Sequence, residues 1–118
     1  MPDHGWWERL LEAIDGKDVP GFLGFLTEDC EFRFGNGPAV RGHTEVGALV
    51  GGFLGAIGGT RHTLSRTWTG DGSAVCEGEV TYTRLDGSTL TLPFVNVFDL
   101  RPGRITRYLI SIDNSALF

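Results

Sequence analysis

The sequence predicts an α+β domain in which three N-terminal helices pack in the concave face of a strongly curved, mainly antiparallel sheet. Two observations predict this class. Apolar residues recur at helical spacing in the first half of the chain, whereas apolar and polar residues alternate with a period of two after Gly58 and Gly59. Turn-forming glycines separate the alternating segments at regular intervals, which is typical of an antiparallel meander. Helices at the front and strands at the back indicate the α+β class.

The first two helices are predicted from apolar spacing and from signals at their ends. Large apolar residues recur every three or four positions and Gly16 supplies a C-terminal stop, so helix one covers roughly residues 3–15. Asp18 can cap a second helix, which tolerates Pro20 in its first turn. We expect this second helix to end near Glu28.

A short strand and a third helix follow. Cys30, Phe32 and Phe34 alternate with charged residues, which predicts a half-buried strand, and residues 39–41 form a second short piece. From Thr44, apolar residues through Ile57 follow the spacing of an amphipathic helix. Each glycine within it costs about 1 kcal/mol relative to alanine, and we expect close packing to offset that cost. The glycines with four-residue spacing are Gly47, Gly51 and Gly55.

Composition narrows the function classes. The 118 residues, 41% of them hydrophobic, suit one domain spanning residues 1–118. A net charge of −5 with scattered Lys and Arg argues against a nucleic-acid partner. The chain shows neither a leader pattern nor an apolar run of membrane-spanning length, so we expect a cytoplasmic protein without a membrane partner. Cys30 and Cys76 fall in no Cys-x-x-Cys motif. The three histidines make no recognised ligand spacing, so we expect no metal, and we also expect no cofactor.

One polar residue interrupts an apolar strand face. Side chains alternate across a strand, so Asn96 shares a face with large apolar residues before and after it. A buried amide without partners costs about 1–3 kcal/mol. Asn96 is therefore either satisfied by a neighbour or presented to a ligand. The apolar residues on its face are Leu90, Leu92, Phe94, Phe98 and Leu100.

Four short motifs carry a family resemblance that covers nearly the whole chain. They are Glu28-Asp29-Cys30-Glu31-Phe32, Val40-Arg41-Gly42, Val97-Phe98-Asp99-Leu100 and Gly103-Arg104-Ile105. With the order of elements, they resemble the nuclear transport factor 2-like superfamily, and more narrowly its SnoaL-like and ketosteroid-isomerase-like branch. The resemblance implies a cone-shaped, cystatin-like roll that encloses a pocket, often as a dimer through the outer sheet face. Polyketide cyclases also belong to this branch.

The resemblance carries over few catalytic residues. Ketosteroid isomerases place an aspartate base on the first strand, where this chain has Phe34, and an oxyanion-hole tyrosine on the first helix, where it has Leu10. The second oxyanion position falls on Asn96, whose amide can donate a hydrogen bond at any pH. His62 lies on the apolar face of its strand and is the best available base, although a structural role at a strand start is the alternative.

These considerations predict Asn96 and His62 as catalytic residues, beside a set of ligand-contacting apolar and aromatic residues. For the two tyrosines of that set, core packing with a satisfied hydroxyl is the alternative. Asp113 lies off the inward parity of its strand and within a turn-forming cluster, so we do not assign it to the site. The predicted ligand-contacting residues are Phe34, Phe32, Tyr82, Phe94, Tyr108, Trp68 and Leu10.

Three hypotheses of function follow. The first is a cofactor-free isomerase or cyclase that enolises a small apolar carbonyl compound, with Asn96 polarising the carbonyl and His62 as base. The second is a module that binds such a ligand without chemistry, and the third is a structural dimer with a filled interior. We predict a homodimer because the outer face of the last two strands is partly apolar. That face carries Thr91, Pro93, Val95, Val97, Asp99, Arg107, Leu109 and Ser111.

Overall fold

The computed structural model describes residues 5–118 and has the α+β class that the sequence predicts. The helices are α1 (Trp6–Asp15), α2 (Val19–Leu23) and α3 (Gly42–Gly55). The strands are β1 (Leu26–Phe34), β2 (Val40–Arg41), β3 (Gly59–Gly70), β4 (Ser73–Thr83), β5 (Thr89–Arg101) and β6 (Arg104–Ser111). Among these residues, no helix combines the length and apolar character needed to cross a membrane.

Helix α1 ends where the sequence predicts. Its apolar face is buried against the rest of the molecule, including Trp6 and Leu10. The helix stops at Asp15, since the following residues turn the chain and Lys17 adopts a left-handed backbone with φ of 56°. The predicted first residues of this helix, residues 3 and 4, lie outside the described part of the chain.

Helix α2 is shorter than predicted. The Asp18 side chain caps it as expected, accepting a hydrogen bond of 3.0 Å from a backbone N–H of the first turn. The helix ends at Leu23, and β1 already begins at Leu26, so the expected end near Glu28 is wrong. Leu26 pairs in parallel with Ile105 of β6. Pairing with a strand distant in sequence thus replaces the helical turns that local apolar spacing favours.

Helix α3 begins before Thr44 and ends before Ile57, which is buried just beyond it. A Cβ atom added at Gly47 would lie 3.2 Å from Cδ1 of Leu23, so α2 packs closely on α3 there. At Gly55 no atom lies within 4 Å of such a Cβ. Close packing therefore accounts for the glycine at position 47 and leaves the one at position 55 without that explanation.

The strands form one mixed sheet in the order β2-β1-β6-β5-β4-β3. Strands β3 to β6 are consecutive antiparallel neighbours, which is the predicted meander. Strand β1 runs parallel to β6 and antiparallel to β2. This topology brings the early strand β1 beside the last strand, so that residues from both ends of the chain line the same inner sheet face.

A bulge in β3 changes which side chains face inward. The pairing register between β3 and β4 shifts between Leu64 and Arg66, so Ser65 is an extra residue. A one-residue slip turns every later side chain to the opposite face. Trp68 therefore lies on the face opposite to His62, and 48% of it is exposed. Strict alternation along the sequence from His62 predicts Trp68 on the same face, and the extra residue makes that prediction wrong.

Candidate functional site

An apolar cavity lies between the helices and the inner face of the sheet, with a volume of about 50 Å³. All three helices contribute, through residues such as Ile14, Phe22 and Phe53. Most of the lining is aliphatic or aromatic, and only a few polar groups reach it. Such a composition is typical of small-molecule sites, where a few polar groups orient a ligand within apolar walls. The polar groups belong to Thr60, His62, Tyr82, Asn96 and Tyr108.

The structure brings most of the predicted site residues together around this cavity. Leu10 is buried in the core away from the cavity lining, and Trp68 lies on the outer face beyond the bulge. The predicted residues that line the cavity are Phe32, Phe34, His62, Tyr82, Phe94, Asn96 and Tyr108.

Asp15 and His62 form a hydrogen-bonded pair at the wall of the cavity. Nδ1 of His62 lies 2.5 Å from Oδ1 of Asp15. The same carboxylate accepts a hydrogen bond of 2.7 Å from Oγ1 of Thr60 and one of 3.0 Å from the backbone N–H of His62. The edge of the imidazole packs against the Phe94 ring, with 5.5 Å between ring centroids. These contacts hold the imidazole in one orientation beside the cavity.

The ionised state of Asp15 determines the tautomer of His62. Burial raises the pKa of the Asp15 carboxyl, but hydrogen bonds from His62 and Thr60 outweigh burial, so the pKa lies below its ordinary value of 3.8. An ionised carboxylate can only accept, so Nδ1 of His62 must carry the hydrogen that it shares with Asp15. In the neutral imidazole, Nε2 then holds a lone pair. That is the form that a general base requires.

Sequence reasoning interpreted Asp15 only as the end of α1. The two residues of the pair are 47 positions apart, so no local pattern connects them. One signal was available, because a carboxylate in the last turn of a helix lies at the negative end of the helix dipole, which costs about 0.3–1 kcal/mol. Thr60 lies two positions before His62 on the same strand face, but a threonine there is common in strands and gives no signal.

Asn96 is buried beside the cavity and incompletely hydrogen-bonded. It is 2% exposed, and its Cα pairs with Cys76 on β4 and with Ile110 on β6. Nδ2 donates to the hydroxyl of Tyr108 over 3.5 Å, at the long limit of a hydrogen bond. Oδ1 has no partner within the described residues. Internal contacts thus satisfy one side of the carboxamide and leave the other side unpaired.

The two tyrosines that line the cavity and the thiol of Cys76 stay neutral at ordinary pH. Burial raises the pKa of Tyr108 well above its usual value, with smaller contributions from the two nearby thiols. Burial also raises the pKa of Cys76 to about 12, and hydrogen bonds from the backbone and side chain of Asn96 only partly oppose this. The Tyr82 pKa rises to about 12 because of burial. Both tyrosines therefore keep their hydroxyl hydrogens and can donate them.

Asp113 lies outside the cavity lining. Its exposed carboxylate accepts a hydrogen bond of 3.1 Å from the backbone N–H of Ser115, as expected of a turn-forming residue. Across residues 5–118, no three His, Cys, Asp or Glu side chains are grouped so that they could hold a metal ion.

Comparison with known proteins supports one family. The family model described as a SnoaL-like domain matches residues 7–108. No curated protein matches the chain.

Solved structures with the same fold cover most of the chain. An NTF2-like protein of unknown function from Burkholderia pseudomallei is 24% identical with a TM-score of 0.84, over 94% of this chain and 90% of that one. TerC co-crystallised with polyporic acid is 24% identical with a TM-score of 0.81, over 94% and 91% of the two chains. An epoxide hydrolase from Mycobacterium tuberculosis, described as LEH-like, is 19% identical with a TM-score of 0.77, over 91% and 79%. At these identities the similarity shows the fold alone.

Proposed function

Because this chain belongs to the SnoaL-like domain family, we propose that it binds a small cyclic carbonyl compound in its apolar cavity and enolises it with His62 as the base. The observation that carries this proposal is the hydrogen bond between His62 and Asp15 at the cavity wall. A base needs a free lone pair and a counter-charge for the proton that it gains, and this pair supplies both.

The reaction is a proton transfer within the bound complex. Nε2 of His62 removes a proton from the carbon next to the carbonyl, the C–H electron pair forms a carbon–carbon double bond, and the carbonyl electrons move to oxygen. Asp15 stabilises the imidazolium that forms. For isomerisation, the imidazolium then returns the proton to another carbon of the conjugated enolate. For cyclisation, the enolate carbon attacks a second carbonyl, and the imidazolium protonates the alkoxide that forms.

The developing oxyanion needs a donor close to the base. Tyr82 is suited to this role because its hydroxyl is protonated at neutral pH and lines the cavity. Its Cα pairs with that of Thr60, two positions from His62 on β3. Leu92 of β5 is aligned with His62 across the sheet, and Asn96 lies four positions further along the same strand. Asn96 therefore orients the other end of the ligand.

The experiment is deuterium exchange at the carbons next to the carbonyl of cyclopentanone in D₂O, followed by proton NMR. We expect the wild-type protein to accelerate exchange and His62→Gln to lose about 10²- to 10⁴-fold of that acceleration. His43→Gln is the matched control, because His43 is bonded to the backbone oxygen of Leu26 and does not line the cavity.

A second candidate function is binding without chemistry. The apolar residues Phe34 and Leu10, at the positions where ketosteroid isomerases carry the base and the tyrosine, favour it. The cavity volume of about 50 Å³ limits both candidate functions, because benzene binds in an engineered cavity of about 150 Å³. A ring can therefore enter only if the rim moves or if part of the ligand stays outside. Ligand binding with no exchange above the buffer rate would support this second function and reject enolisation.

A further inference from the structure

The buried pair Asn96 and Tyr108 leaves hydrogen-bonding capacity unused within residues 5–118. A carboxamide offers two N–H donors and one oxygen acceptor. Nδ2 of Asn96 donates to the Tyr108 hydroxyl, and the Asn96 side chain also interacts with the Cys76 thiol. Oδ1 accepts nothing, although Asn96 is 2% exposed. Buried side-chain acceptors are rarely left in this state, so this oxygen calls for a partner.

The Tyr108 hydroxyl has an unused hydrogen-bond donor. Its oxygen accepts the hydrogen bond from Asn96, and its own hydrogen has no acceptor among the described side chains and backbone groups. The ring is fixed by neighbouring aromatic rings, with centroids at 4.6 Å for Phe98 and 5.2 Å for Phe32. The hydroxyl therefore cannot swing away to find another acceptor. An unused acceptor and an unused donor thus belong to two hydrogen-bonded residues that both line the cavity.

Rotating the carboxamide does not remove the deficit. If its oxygen faced Tyr108, the hydroxyl hydrogen would be satisfied, but Nδ2 of Asn96 would lose the Tyr108 hydroxyl as its acceptor. The orphan acceptor would be exchanged for an orphan donor. In the observed orientation, Nδ2 faces the Tyr108 oxygen.

We infer that this end of the cavity binds a hydroxyl group on a ring-shaped ligand, which donates to Oδ1 of Asn96 and accepts from the hydroxyl of Tyr108. A hydroxyl is both donor and acceptor, whereas a ketone or an ether can only accept and would leave Oδ1 unpaired. This inference rests on the proposed function, because it names the class of substrate that the same cavity would bind. The ligand becomes a hydroxylated cyclic carbonyl compound, with its hydroxyl at Asn96 and its acidic carbon at His62.

The rim residue Phe53 limits the size of this ligand. Its half-buried ring packs edge-on against Phe34 and Tyr82, with centroids at 4.8 and 5.7 Å. Removing the ring in Phe53→Ala enlarges the cavity that Phe53 lines. This variant therefore provides a second background in which a single aromatic ring fits.

The test compares three probes of similar shape, namely phenol, anisole and toluene. Dissociation constants are measured by ligand-observed NMR titration for the wild-type protein and for Phe53→Ala. We expect phenol to bind about tenfold or more tightly than anisole in both, because sites built around a hydroxyl reject analogues that lack it. Equal or tighter binding of anisole, or binding of none of the probes to either protein, would overturn the inference.

Variants separate this role from a merely structural one. Asn96→Leu should remove the preference for phenol while toluene binds at least as well, whereas loss of structure would weaken all three probes equally. Tyr108→Phe keeps the ring packing and should also reduce the preference, which preserves the test if Asn96→Leu does not fold. Asn36→Leu, at an exposed position between β1 and β2, is the control and should keep the preference. A preference that survives both site variants would contradict the inference.

The outcome is distinguishable from that of the proposed function. His62→Gln tests the proposed function alone and should lose about 10²- to 10⁴-fold of the acceleration of deuterium exchange. If exchange is absent but the preference follows Asn96, the hydroxyl site exists without catalysis. If exchange depends on His62 but phenol has no advantage, the base is correct and the hydroxyl site is wrong.

Discussion

Asp15 combines an unfavourable position with three favourable contacts. It lies in the last turn of α1, where the helix dipole disfavours a negative charge by about 0.3–1 kcal/mol. The Thr60 hydroxyl, the backbone N–H of His62 and the Nδ1–H of His62 donate to it. Such charge-assisted hydrogen bonds are stronger than neutral ones. The contacts outweigh burial, which is why the pKa of Asp15 falls below 3.8. The carboxylate thus ties α1 to β3 as well as orienting the imidazole.

This lowered pKa predicts an acid-dependent loss of stability. A carboxyl whose pKa is lower in the folded state stabilises the protein above its unfolded pKa, and this contribution is lost as pH falls through the folded pKa. We expect the stability advantage of wild type over the nearly isosteric Asp15→Asn to shrink between about pH 5 and pH 3. Urea unfolding across this range measures it. An advantage that stays constant to pH 3 would contradict the lowered pKa.

The bulge in β3 depends on a close approach of two backbones at Gly78. A Cβ atom at this position would overlap the Thr63 backbone oxygen and would lie 3.1 Å from Cα of Leu64. It would also lie 3.1 Å from the ring of Phe94, which packs on His62. Only glycine leaves room for the strands to meet there. The close approach at Gly78 therefore affects both the bulge in β3 and the position of Phe94 in the cavity wall.

Gly78→Ala should destabilise the protein by about 1–3 kcal/mol, because the added methyl overpacks a buried backbone contact. Gly52→Ala is the matched control, since this exposed glycine of α3 has no atom within 4 Å of an added Cβ. We expect the control to stabilise the protein by about 0.5–1 kcal/mol through its helix propensity. Urea unfolding compares the two. Similar midpoints would show that the strands can separate at the bulge without cost.

At the scale of the whole molecule, the two faces of the sheet differ in their surroundings. The inner face supplies most of the cavity, including Asn96 and Tyr108. The outer face of β5 and β6 has half-buried apolar residues such as Val95 and Leu109. An apolar sheet face of this kind suits contact with a second copy of the chain, so we propose a homodimer through it.

The dimer is tested by sedimentation equilibrium of the wild-type protein and of Val95→Glu. We expect the wild type to sediment as a dimer and the variant as a monomer, because a charge buried in an apolar interface is strongly unfavourable. Leu85→Glu is the control, since Leu85 is 74% exposed in the turn between β4 and β5 and lies outside that face. A monomeric wild type at high concentration would reject the proposal.

The sequence by itself determined the features that repeat locally. Periods of 3.6 and two gave the α+β class and the meander, and alternation along β5 placed Asn96 on the buried face. The shortened α2, the outward Trp68 and the pairing of Asp15 with His62 were decided only by the tertiary structure. The first depends on pairing with β6 and the second on one extra residue in β3, which reverses every later side chain. The third joins residues 47 positions apart, and periodicity carries no information at such separations because it reports only which face of one element is buried.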